Sequence, residues 1–152
     1  MSLEVIVEGL KRCCYLLEEL LNDEFLGLIL FGSWARGEGR EGSDVDVFIV
    51  LKSLGGMEVR SRVYKVISEC VNKPITLVDV RVDELFKDEV ELTPLLLNIL
   101  ADGVVIYDKT GRLGELKLRL REFIESVGLE RYRTPDGRYG WRRRDGKSLI
   151  HL

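Results

Sequence analysis

Two aspartates one residue apart, Asp44 and Asp46, stand at the head of the apolar run Val47 to Leu51. In a strand, residues i and i+2 share a face, about 6.5 Å apart along the chain. The two carboxylates are therefore expected side by side. Like charges so placed repel and call for a cation between them. Hard oxygen ligands suit Mg2+ or Mn2+, which complete their shells with water and phosphate oxygens. Turn chemistry at a strand start would account for Asp44, but not for Asp46, which lies inside the strand pattern.

Ten residues separate Asp44 from Ser33, and Gly32-Ser33 closes an earlier apolar run, Leu26 to Phe31. Glycine allows a sharp turn and a close approach of backbone to ligand. Ser33 can act as an N-cap with Trp34-Ala35-Arg36 as the first helical turn, and free N–H groups at such a start attract phosphate. Arg36 and Arg40 add positive charge to the same loop. A phosphate-holding turn beside a metal-holding carboxylate pair is the equipment of metal-assisted phosphoryl or nucleotidyl transfer. Trp34 follows the turn and is expected to pack the loop; stacking on a base is the less favoured reading.

The elements that must position these residues follow from periodicity. Leu3, Ile6, Val7, Leu10, Cys14 and Leu17 recur at helical spacing and predict a helix over 3–21. Strands are expected at 26–31 and 44–51, and a helix over 57–71 that Asn72-Lys73-Pro74 stops. A third strand is expected at 75–82, followed by a short helical turn capped by Asp83. Glu84 reads as an ordinary first-turn glutamate. Thr93-Pro94 opens a helix ending at Gly103, Val104 to Tyr107 form a fourth strand, and Leu113 to Val127 a last helix with Gly128 beyond its end. The expectation is an α/β (α+β) fold, a mixed sheet of about four strands with helices packed on it.

Composition agrees with one small enzyme domain. The chain has 152 residues, 45% hydrophobic and 32% charged, with a net charge of −3. No apolar stretch approaches membrane-spanning length, and the N-terminus lacks the features of a signal peptide, so the cytoplasm is the default compartment. Cys13, Cys14 and Cys70 have no metal-ligand spacing and read as buried reduced thiols. His151, the single histidine, sits beside the C-terminus and is not expected in catalysis. The absence of glutamine and the abundance of Glu, Lys and Arg fit a thermophilic source.

The tail differs from the rest. Residues 131–147 carry seven basic side chains against two acidic ones, a local charge of +5, interleaved with Tyr132, Tyr139 and Trp141. The favoured reading is a small hairpin around Thr134-Pro135-Asp136-Gly137, with its aromatics packed on the domain. Contact with a partner protein or another copy comes next. Nucleic acid comes last, because the whole chain is acidic.

Gly32-Ser33, Ala35-Arg36-Gly37, Ser43-Asp44 and Asp46 with their apolar flanks resemble the signature of the DNA polymerase β-like nucleotidyltransferase superfamily. The short length resembles its minimal nucleotidyltransferases. The resemblance implies that Gly32 and Ser33 hold a nucleoside triphosphate, ATP above all, with Arg36 neutralising charge. It implies that Asp44 and Asp46 bind the metal, and that a nucleoside monophosphate passes to an acceptor hydroxyl with loss of pyrophosphate. It further implies a HEPN-type helical protein as partner, in some pairs a toxin that receives AMP from the antitoxin.

Such enzymes usually add a third carboxylate from a later strand. Val78-Asp79-Val80 fits that pattern, so Asp79 is the expected base and third metal ligand. A different register would put Thr76 in its place. The two positions differ by three and must face opposite sides of the sheet, so only one can join Asp44 and Asp46. With Thr76 there, a weak or non-catalytic nucleotide-binding partner protein becomes the alternative. The expected layout is a nucleotidyltransferase domain over 1–128 and a basic aromatic extension over 129–152 packed on it. Acceptor and oligomeric state, homo-oligomer included, stay open.

Overall fold

The computed structural model describes residues 2–87 and 92–147; His151 lies outside them. The helical spacing of the first segment becomes helix α1, Leu3–Leu21, whose start is capped by the Ser2 side chain accepting from Val5 N–H at 3.3 Å. Ile6, Leu10, Cys13 and Leu17 form its buried stripe. A short 3-10 turn, Asn22–Glu24, leads into strand β1, Phe25–Phe31. A single helical turn, α2 (Gly32–Ala35), and a loop connect it to β2, Val45–Leu51. Helix α3, Met57–Val71, ends on Asn72 in the left-handed conformation, and Pro74 then prevents continuation.

Strand β3 is Ile75–Arg81, followed directly by the one-turn helix α4, Val82–Leu85. Arg81 occupies the cap position there, with its backbone N–H donating to Glu84 Oε1 at 3.3 Å, so Asp83 is not the cap. Helix α5 (Pro94–Asp102) starts on a Thr93 cap and leads into β4 (Val104–Asp108). Helix α6 (Arg112–Val127) ends on left-handed Gly128. The tail forms an antiparallel hairpin, β5 (Leu129–Arg133) and β6 (Tyr139–Arg143).

The main sheet is mixed, with strand order β3-β2-β1-β4. β1 runs antiparallel to β2 and β4, and β2 runs parallel to β3 through the α3 crossover. β1 and β2 are central and apolar on both sides, as strands covered on two faces must be. On one face Leu28, Leu30, Val47 and Ile49 pack with Leu10 and Leu17 of α1 and Val63 and Ile67 of α3. On the other, Ile29, Phe31, Phe48 and Val50 meet Leu97 and Leu100 of α5 and Leu116 and Leu120 of α6. A fully buried leucine of this kind contributes about 2–5 kcal/mol, judged by truncation to alanine.

Cys13 and Cys14 lie in the α1 core, and Cys70 is half-buried on α3; all three are free thiols. Burial pushes the Cys14 thiol up to about 11, and burial together with Cys70 holds Cys13 well above the usual thiol range. Both stay protonated and unreactive near neutrality. Among the described residues, no helix is long and apolar enough to cross a membrane.

Candidate active site

The two aspartates lie together at the start of β2. Asp46 pairs across the sheet with Phe31 of β1 on one side and Thr76 of β3 on the other. Its side chain shares the face of Phe48 and Val50. Asp44 precedes the strand, and its Oδ2 accepts from the Thr76 hydroxyl at 3.3 Å. Burial raises the Asp46 pKa above the usual carboxylate range, and the neighbouring charge of Asp44 adds to the rise; the Thr76 hydroxyl and Arg36 partly offset it.

Gly32 is fitted to this pair. Its φ is +74, and a Cβ there would overlap the Asp46 carboxylate. Both conformation and space therefore require glycine, and the backbone of the turn lies directly against the carboxylates. Ser33 is the second residue of α2; the cap position is Phe31, without a side-chain cap bond. The expected N-cap role of Ser33 is thus corrected, although its place in the turn stands. Trp34 is buried and donates Nε1–H to Ser43 O at 3.3 Å, while Gly39 lies against its ring with no room for a side chain. Trp34 thereby closes the loop between α2 and β2.

Asp79 is not part of this cluster. In the parallel register Thr76 stands beside Asp46, and Asp79 stands beside Ile49, three residues on and on the opposite face. There its carboxylate binds Arg60 of α3 and accepts from Arg81 Nη2 at 2.5 Å. Arg60 also donates to Leu77 O at 3.1 Å, fastening α3 to β3. The expected placement of Asp79 beside Asp44 and Asp46 is therefore corrected in favour of Thr76. Arg81, two residues from Asp79 and so on its face, is the sequence signal for an ion-paired aspartate. Among the described residues, no three His, Cys, Asp or Glu side chains gather to hold a metal. Glu84 hydrogen-bonds the Arg81 side chain at 3.3 Å and takes no part in the cluster.

The polymerase beta nucleotidyltransferase family model matches residues 17–112, a span that holds the turn, the carboxylate pair and β3. The chain belongs to this family. Its members are nucleotidyltransferases that generally use divalent metals. The nucleotidyltransferase is 26% identical over 128 residues to MJ1305 of Methanocaldococcus jannaschii, which carries the provisional name protein adenylyltransferase; the match covers 81% of this chain and 83% of the relative. A second protein of that organism and provisional name, MJ0141, is 36% identical over 63 residues, covering 41% of this chain and 64% of the relative. Among solved structures, a toxin–antitoxin with AMP-PNP superposes with a TM-score of 0.53 at 14% identity, covering 77% of this chain and 88% of that one. A mutant of the toxin–antitoxin MntA–HpeT gives 0.51 at 11% identity, covering 76% and 90%. These two likenesses establish a shared fold.

Arg36 of the nucleotidyltransferase follows the turn and is held by three partners. Its Nε donates to Glu38 Oε1 at 2.7 Å, its Nη1 approaches Asp102 Oδ2 at 3.4 Å, and its guanidinium lies 4.7 Å from the Tyr139 ring. Asp102, at the end of α5, also accepts two bonds from Arg131 of β5, at 2.6 and 2.5 Å. Burial opposes its ionisation, but Arg131 and Arg36 outweigh burial and hold the carboxyl below its usual range. Asp102, Arg131 and Tyr139 were not singled out as site residues from the sequence. No local pattern marks them, since they lie 66, 95 and 103 positions from Arg36.

Proposed function

We propose that this nucleotidyltransferase moves AMP from ATP to a hydroxyl group of a partner protein, with Asp44 and Asp46 as ligands of Mg2+ or Mn2+. The observation that carries the reading is the carboxylate pair set against the side-chain-free turn at Gly32. The donor set fits a hard divalent cation, and burial raises the Asp46 pKa, a rise that a bound cation would oppose. When bound, such a cation supplies charge neutralisation for the triphosphate and the leaving pyrophosphate. The backbone after Gly32 and the Ser33 hydroxyl hold the β- and γ-phosphates, and Arg36 offsets their charge. The acceptor oxygen forms a bond to the α-phosphorus as the bond to the bridging oxygen breaks. Support for AMP as the transferred group comes from the name of the MJ1305 relative and from AMP-PNP in the similar toxin–antitoxin structure. The same likenesses favour a partner-protein acceptor, and the resemblance to minimal nucleotidyltransferases makes a HEPN-type toxin the first candidate.

One feature favours a second reading. Thr76 stands where a third carboxylate would sit, and its hydroxyl is no base near neutral pH. β3 therefore supplies no group to take the acceptor's proton, and transfer should be slow or depend on the partner for that step. In the limit, the protein binds nucleotide and partner without turnover. Incubation with ATP labelled at the α-phosphate, Mg2+ and a HEPN-type partner tests the choice. Label on the partner and equimolar pyrophosphate are expected. Retained ATP with no pyrophosphate would leave the binding reading alone.

A further inference from the structure

The β5–β6 hairpin begins beyond the family-matched span, yet it reaches the phosphate turn. Tyr139 is the point of contact. Its ring lies 4.7 Å from the Arg36 guanidinium, 4.1 Å from that of Arg131 and 4.9 Å from that of Arg133. Its hydroxyl meets Glu38 Oε2 at 3.3 Å. We propose that Tyr139 is a positioning residue for the nucleotide site, holding the Arg36 guanidinium ready for the triphosphate. The proposal rests on the nucleotidyltransferase reading above and deepens it.

Charge balance points to an anion. Three guanidinium groups surround one ring, and the carboxylates bonded to this group are Glu38 and Asp102. One positive charge is left over. Crowded like charges are unfavourable unless an anion joins them. The charge in excess is also the exchangeable one. Asp102 is satisfied by the two short bonds from Arg131, so its 3.4 Å contact with Arg36 is the weak member of the set. Among the described residues no partner holds Arg36 Nη2, which leaves that edge of the guanidinium to bond a phosphate oxygen.

Anchoring the hairpin does not require Arg36. Trp141 Nε1 donates to Asn98 Oδ1 at 2.9 Å, and Arg131 Nη2 donates to the same oxygen at 3.0 Å, fixing both strands to α5. Stacking on Tyr139 instead restricts a long side chain that would otherwise lose rotamer freedom on meeting its ligand. When triphosphate arrives, Arg36 exchanges its Asp102 contact for phosphate and keeps the ring beneath it. Arg36 caps the single-turn helix that starts at Gly32, and Gly32 lies against the Asp46 carboxylate, so this exchange takes place beside the carboxylate pair.

The test is a calorimetric titration of ATP with Mg2+ into the full chain, alongside thermal melts. Tyr139→Leu is expected to weaken binding about tenfold, and Tyr139→Phe to restore it to within about twofold of the parent. Arg36→Ala should weaken binding at least as much, and the Arg36→Ala/Tyr139→Leu double variant should bind no worse than Arg36→Ala. A further loss in the double variant equal to the loss in Tyr139→Leu alone would overturn the assignment, because the two residues would then act independently. Should the melt show Tyr139→Leu unfolded, Tyr139→Met, which keeps bulk without an aromatic face, is read in the same cycle. A parent with no Mg2+-dependent ATP affinity overturns the nucleotidyltransferase reading and this assignment together. A parent that binds, with Tyr139→Leu binding equally well, overturns this assignment alone.

Discussion

The β2–β3 strand pair carries aspartates on both of its faces, and the two groups differ in their partners. On one face Asp44 accepts from the Thr76 hydroxyl beside Asp46, and the Asp46 pKa is pushed up by burial and by its neighbour. On the other, Asp79 sits between the guanidinium groups of Arg60 and Arg81. A carboxylate already held by two cations has no need of a metal, and its bonds connect β3 to α3. Two carboxylates gathered without a basic partner of this kind disfavour each other's ionised form, which suits the proposed role of this pair in holding a divalent cation. Apolar flanks around an aspartate therefore do not identify the catalytic one; its cation partners do.

Removing both members of the first group should have the largest effect. Asp44→Asn/Asp46→Asn is expected to abolish metal-dependent ATP binding and to lower AMP transfer by a factor on the order of 10³ or more, read by labelled transfer and calorimetry. Unchanged metal-dependent affinity in that variant would erase the contrast between the faces.

The second group should behave oppositely. Asp79→Asn leaves Arg60 without its anion and Arg81 with Glu84 alone, and should cost roughly 1–3 kcal/mol in urea unfolding, a modest figure because Arg60 is partly exposed. ATP affinity should stay within about twofold of the parent, since the residue faces away from the site. A variant of full stability that has lost transfer would return Asp79 to the catalytic centre.

The smallest effect is a pH dependence. The Asp46 pKa is raised in the folded state, so the folded protein binds that proton more tightly than the unfolded chain does. The contribution of Asp46 to metal-free stability is most favourable below the unfolded carboxylate value, about pH 4, and is lost as pH rises through the higher folded value. Melting curves of parent and Asp46→Asn without metal should therefore converge at low pH and separate above it, with the variant the more stable at neutrality. Saturating Mg2+ should raise the parent's melting temperature and leave the variant's almost unmoved. Parallel curves at every pH would show that Asp46 feels no such strain.

Much of the arrangement was legible along the chain. The boundaries of α1 and α3 follow from apolar spacing and, at Asn72-Lys73-Pro74, from a plain stop signal. The mixed four-stranded sheet was expected, and Gly32, Asp44 and Asp46 come together through one strand–loop–strand unit. β3 was harder. Its existence was clear, but alternation says only that Thr76 and Asp79 oppose each other, not which of them meets β2's carboxylates. Arg60 lies 19 residues before Asp79, and only the packing of α3 over β3 makes it a partner. Ser33 has the composition of a cap, yet the helical turn spans Gly32–Ala35 and its cap position falls on Phe31, because positive φ at Gly32 puts the sharp bend before Ser33.

Short-range pattern was thus enough for the carboxylate pair, because its geometry depends on two-residue alternation and one tight turn. What packing across the molecule decided is which residues surround that pair. The β2–β3 register set Thr76 rather than Asp79 beside it, and the docking of the tail hairpin on α5 brought Tyr139 and Arg131 to Arg36. Those neighbours come from elements far apart in the chain, and periodicity fixes a residue's face but not the element that will lie against it.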